Sequence, residues 1–136
     1  MSQAEVFAPM GVLAALTFVV LWSLPFRRVG AGRAGRITAE DFRTGESARV
    51  PAEVAVTNRT LVNLLEVPLL FYVAGLMYFV ADKVDGVVLG LAWAYVGLRL
   101  VHALIYVTYN RVLHRAAVFM ASNAVLVALW VLFFVR

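Results

Sequence analysis

Four apolar segments, 7–26, 57–80, 84–109 and 116–135, make up most of this chain. Each is long enough to cross a hydrocarbon core of roughly 30 Å as a helix. Lipid offers no hydrogen bonds, so a spanning segment must satisfy its own backbone, which restricts these stretches to helices. The expected fold is an all-α integral membrane protein, an up-and-down bundle of four transmembrane helices forming one domain over residues 1–136. The composition agrees: 63% of the 136 residues are hydrophobic and 15% charged, far from a soluble enzyme. The absence of Cys excludes disulfides and any thiolate supplied by the protein, so a sulfur nucleophile must arrive with a ligand.

The basic residues sit beside the apolar segments rather than on a polar module. The net charge of +4 therefore points to membrane topology and not to nucleic acid. The longest connection, 27–56, holds Arg27, Arg28, Arg33, Arg36, Arg43 and Arg49 and reads as a cytoplasmic loop, which places both termini outside. The links around Asp82–Lys83 and Asn110–Arg115 fit that orientation. The residues before the first segment carry Glu5 and no side-chain cation, so the segment reads as a permanent span and not a cleaved signal. In a bacterial host the expected location is the inner membrane.

Ionisable residues at membrane depth are costly and by default mark a site facing the bundle interior. Here they form two sets. Arg59, Asn63 and Glu66 are spaced four and three apart, and so are His102 and Tyr106 after Arg99 in reverse order, which puts each set on one helix face. Counted inward at 1.5 Å per residue, Glu66 lies roughly 13 Å deep and Arg99 roughly 15 Å. Glu66 should therefore level with Arg99, Asn63 with His102 and Arg59 with Tyr106. Pro68 predicts a kink near Glu66, with neighbours taking up the carbonyl it frees at Leu64. Arg111 and Arg115 follow the third segment and complete a positive funnel suited to a small polyanion. His114, without Cys or a second close carboxylate, does not make a metal site. The aromatics Trp22, Trp93 and Trp130 read as packing or interface residues, and Gly75, Gly90 and Gly97 as points of close helix approach.

Arg59-x-x-x-Asn63-x-x-Glu66 with Pro68 and Phe71, then Arg99-x-x-His102-x-x-x-Tyr106 with Arg111 and Arg115, resembles the family of membrane-associated proteins in eicosanoid and glutathione metabolism. The resemblance covers nearly the whole chain. It implies a left-handed four-helix bundle assembled as a homotrimer, with glutathione as co-substrate at subunit interfaces near the cytoplasmic leaflet. Asn63, Glu66, His102, Tyr106 and Arg115 would hold the tripeptide, helped by Arg27 or Arg28 of a neighbouring copy. Arg59, Arg99 and Arg111 would support them, and Arg115 would stabilise the thiolate, since a nearby cation lowers a thiol's pKa.

Two positions depart from the prostaglandin-synthase branch of that family. Ala116 stands where that branch has a serine, and Phe119 where it has a tyrosine; Asp41 aligns loosely with its loop acid. The resemblance thus implies conjugation or peroxide reduction with glutathione, on lipophilic electrophiles entering from the bilayer, rather than prostaglandin isomerisation. The alternative from another class is a small transporter or a binding or assembly protein in which Glu66 and Arg99 form a coupled or structural ion pair.

Overall fold

In the computed structural model, which describes residues 1–43 and 45–136, five helices follow in order: α1 (Phe7–Arg33), α2 (Ala52–Leu65), α3 (Pro68–Val80), α4 (Gly86–Val107) and α5 (Val112–Val135). With α2 and α3 taken as one interrupted span, four helical spans are long and apolar enough to cross a membrane. Large side chains such as Trp22, Phe26, Val80, Leu113 and Phe134 remain exposed along them. In a bilayer these face lipid, which is as apolar as they are.

Three of the four spans outrun the apolar segments that announce them, whereas α4 falls inside its segment, 84–109. The arginine-rich connection expected over 27–56 shrinks, because α1 continues through Arg27, Arg28, Gly30 and Gly32 to Arg33, and α2 begins at Ala52. Hydrophobicity marks the lipid-facing length of a helix, not its hydrogen-bonded length, and arginine is a good helix former. What stops α1 is Gly35, at a left-handed φ of +72°. There Arg36 N–H reaches back to the Ala31 carbonyl at 3.0 Å and closes the helix in a Schellman cap.

The remaining loop is folded about Asp41. Its Oδ2 accepts from Thr38 N–H at 2.8 Å, its Oδ1 from Ser47 Oγ at 2.7 Å, and its carbonyl from Ser47 N–H at 2.9 Å. Asp41 is buried, so the loosely aligned loop acid is a structural hub with its oxygens already committed. The hydrogen bond from the Thr38 backbone, then that from Ser47, hold its carboxyl below the usual aspartate range. Arg28 joins this packing, with its guanidinium carbon 4.5 Å from the centre of the Phe42 ring.

The core is a stripe on each helix. Leu13, Val20 and Leu24 of α1 meet Leu61 and Leu64 of α2, Phe71 of α3, Tyr95 and Val96 of α4, and Leu126 and Leu129 of α5. Phe71 stacks on Tyr95 with ring centres 4.7 Å apart. Of the three glycines expected at close approaches, only Gly75 makes one: a Cβ there would lie 2.6 Å from Met10 Sδ, whereas Gly90 and Gly97 face open space.

Where Pro68 predicts a kink, the helix breaks. Leu65 ends α2, Glu66 adopts φ −79° and ψ −89°, and Pro68 opens α3 as its first residue, where its missing N–H is harmless. The turn opposite the arginine-rich end is stitched together. The Gln3 amide pairs with both main-chain groups of Val84, at 2.7 and 3.1 Å, and Arg136 bridges to Asp85 at 2.6 Å. Tyr78 Oη donates to the Leu129 carbonyl at 2.6 Å.

Candidate functional site

The polar residues singled out in the sequence come from α2, α4 and the start of α5. They do not form the ladder expected of them. Arg99 is fully buried, and its Nη2 donates to the main-chain carbonyl of Asn63 at 2.5 Å. Among the described residues the ion pairs are Arg36 with Glu53, Arg43 with Glu40 and Arg136 with Asp85. The Glu66 to Arg99 pair is therefore not present within the chain, and Glu66 is exposed.

The reason lies in the helix break. An α-helix leaves its last carbonyls without intrahelical donors. In α2, Glu66 N–H still serves the Val62 carbonyl at 3.0 Å. The next carbonyl belongs to Asn63, and Arg99 takes it. Depth counting from apolar boundaries could not register this, because both helix ends lay elsewhere and the guanidinium reaches a backbone atom.

On the arginine-rich side of Arg99, α4 presents His102 and Tyr106, both buried, with ring centres 6.0 Å apart. Phe119 of α5 lies against this pair, 5.7 Å from the His102 ring and with the Arg99 guanidinium carbon 5.8 Å from its centre. The residue noted in the sequence for the hydroxyl it lacks thus packs its ring against both a histidine and an arginine.

Arg115, on the first turn of α5, is half-buried, with its guanidinium carbon 4.4 Å from the centre of the Tyr106 ring. Its Nη1 donates to Asn110 Oδ1 at 2.5 Å. Asn110 was not a sequence candidate. Its signal is positional: it sits in the helix-to-helix turn at a left-handed φ of 46°, a conformation that asparagine tolerates well, five residues before the arginine it orients. His114 is exposed, and its Nδ1 lies 3.2 Å from Tyr109 Oη.

The other candidates divide by place. Asn63 is half-buried, while Arg59 and Glu66 of the same span and Arg111 at the α5 start are exposed. Arg28 packs on the loop, and Arg27 lines a groove between α1, α2 and α4. The geometry therefore joins Arg99 to Asn63, and His102, Tyr106, Arg115 and Asn110 to one another. It leaves Arg59 and Glu66 on the outer surface of α2 and its joint.

A family model of the MAPEG family matches residues 6–135. The chain belongs to the MAPEG family. Neither a curated protein nor a solved structure matches it. MAPEG membership makes this a multi-pass membrane protein of a family concerned with eicosanoid and glutathione metabolism, consistent with the four helical spans. The MAPEG match runs from the residue before α1 to the end of α5 and so takes in the motif-bearing helices and the arginine-rich loop.

Proposed function

We propose that this MAPEG protein is a glutathione-dependent transferase or peroxidase acting on lipophilic electrophiles, with its thiol site near the cytoplasmic leaflet between copies of a homotrimer. One observation carries the reading. Arg59 and Glu66 lie in a membrane-spanning segment, exposed on the single chain and without an ion-pair partner among the described residues. Charges at that depth demand a polar partner. A second copy closing over this face, with a small zwitterionic polyanion held in the seam, meets that demand.

The donor set fits glutathione. Its ammonium suits the Glu66 carboxylate, and its carboxylates suit guanidinium forks such as Arg59 and the neighbouring copy's Arg28. His102 and Tyr106 add hydrogen-bonding groups one turn apart. Arg115, fixed by Asn110 and the Tyr106 ring, is the cation that favours a thiolate over a thiol. Glutathione would supply the nucleophile, and Arg115 would hold the charge on its sulfur as that sulfur attacks the electrophile. Phe119 and Ala116 give the site apolar walls without hydroxyl donors, which suits addition to, or reduction of, a bilayer-borne electrophile.

The transporter or assembly alternative rested on a Glu66 to Arg99 pair, and that pair is not present within the chain. The test is thermal unfolding of the detergent-purified protein with glutathione and with an S-alkyl glutathione. A ligand at about 100 times its Kd adds roughly 2.7 kcal/mol of stability. A saturable shift that disappears in Glu66→Gln supports the reading, together with glutathione thiolate absorbance that is lost in Arg115→Ala. A folded protein that shifts with neither compound overturns it.

A further inference from the structure

A groove of about 500 Å³ runs along the outside of the bundle between α1, α2 and α4. Leu16, Val20, Leu100 and Leu104 line its apolar length, and Arg27 and Thr57 line its end. The eleven residue-to-residue steps from Leu16 to Arg27 rise about 16 Å along α1. That is half of a hydrocarbon core of roughly 30 Å, the depth of one leaflet. At the Arg27 end the groove continues into a second, polar one of about 200 Å³, to which Glu53, Tyr106 and Asn110 also contribute.

Charge settles what such a groove can hold. Among the described residues Arg27 takes part in no ion pair, because the neighbouring carboxylate, Glu53, is bound by Arg36 at 2.5 Å. A guanidinium therefore stands at the polar rim of a leaflet-deep apolar channel. We propose that this groove is a binding site for an anionic phospholipid, with one acyl chain along Leu16 to Leu104 and the phosphodiester on Arg27. The planar guanidinium fork matches two phosphate oxygens. A zwitterionic headgroup brings a cation to a rim whose carboxylate, Glu53, is already paired with Arg36 and whose remaining charge is Arg27, and is disfavoured. The lipid groove borders the thiol site through Tyr106 and Asn110 but uses neither residue to hold the lipid, so it survives if the glutathione reading fails.

Native mass spectrometry of protein released from vesicles of equal phosphatidylglycerol and phosphatidylcholine content tests the proposal. Retention of phosphatidylglycerol over phosphatidylcholine by about tenfold is expected, because both lipids offer the phosphodiester but only phosphatidylcholine brings a cation beside the Arg27 guanidinium. Arg27→Gln should bring that ratio close to one. Leu104→Trp, which fills the groove from its exposed rim, should lower retention of both lipids. Glycerophosphate, which has no chains, should neither bind nor compete. Equal retention of the two lipids by the unaltered protein, or a preference that persists in Arg27→Gln, overturns the proposal. So does efficient disulfide formation between two copies of Leu104→Cys, a unique thiol in this cysteine-free chain, since it would place a second copy in the groove.

Discussion

Arg99 Nη2 donates to the main-chain carbonyl of Asn63 at 2.5 Å, so a fully buried cation on α4 caps the broken end of α2. The arrangement joins two problems in one contact. The carbonyl needs a donor where the helix stops, and the guanidinium needs an acceptor where no carboxylate pairs with it.

Arg99→Leu should therefore loosen the joint between α2 and α3. Loss of a hydrogen bond to a charged group costs about 1.5–3 kcal/mol. The expected result is a lower unfolding temperature in detergent, with weaker ligand stabilisation because Asn63 and Glu66 flank the joint. Unchanged unfolding in Arg99→Leu would show that the contact contributes nothing.

Pro68→Ala restores an N–H where the chain now turns. It should let α2 and α3 join into a more continuous helix and rotate Glu66 away from its present position. Hydrogen exchange should slow at residues 66–69 while the response to glutathione weakens. If binding is untouched and exchange at the joint stays fast, the break is not set by the proline.

In the loop, the carboxyl of Asp41 is held below its ordinary range by hydrogen bonds from Thr38 and Ser47. A lowered folded pKa gives stability that is present above the unfolded value of about 3.9 and fades as pH falls through the lower folded value. Proteolysis between Arg36 and Pro51 should accelerate on acidification below about pH 4, the ordinary aspartate range. Asp41→Asn should show that faster cleavage already at neutral pH. A cleavage rate in the variant equal to that of the unaltered chain at pH 7 would remove Asp41 from this role.

At Gly75 an added Cβ would lie 2.6 Å from Met10 Sδ. Methionine is flexible, so Gly75→Ala should be tolerated once Met10 turns aside. Gly75→Val should lower stability by about 1–3 kcal/mol through overpacking. Equal unfolding temperatures for the two variants would argue against a tight α1 to α3 crossing.

The four spans and the break at Pro68 were legible because hydrophobic length and a missing backbone donor are properties of the sequence itself. The ends of α1 and α2 were not, since an arginine-rich turn stays helical until Gly35 supplies a left-handed cap. The partner of Arg99 was hidden for a different reason: a pattern of side chains cannot show a side chain bonding to backbone. Asp41 looked like an available acid because nothing in its spacing reveals that Thr38 and Ser47 occupy its oxygens. Asn110 was visible only as a turn residue, and its hold on Arg115 depends on how α4 and α5 meet.

The stitches at Val84, Asp85 and Leu129 lie toward one end of the bundle. Toward the other end, the hydrogen bonds among the described residues link only successive helices across their own connection, as Arg36 to Glu53 and Asn110 to Arg115 do. A bundle fastened in this way behaves as a pair of tweezers. Its pivot lies at the Val84 turn, its innermost crosspiece is the Arg99 to Asn63 contact, and its tips are the α1–α2 and α4–α5 corners. Thermal splaying is therefore largest at the arginine-rich tips, where a ligand can exchange while the pivot stays closed.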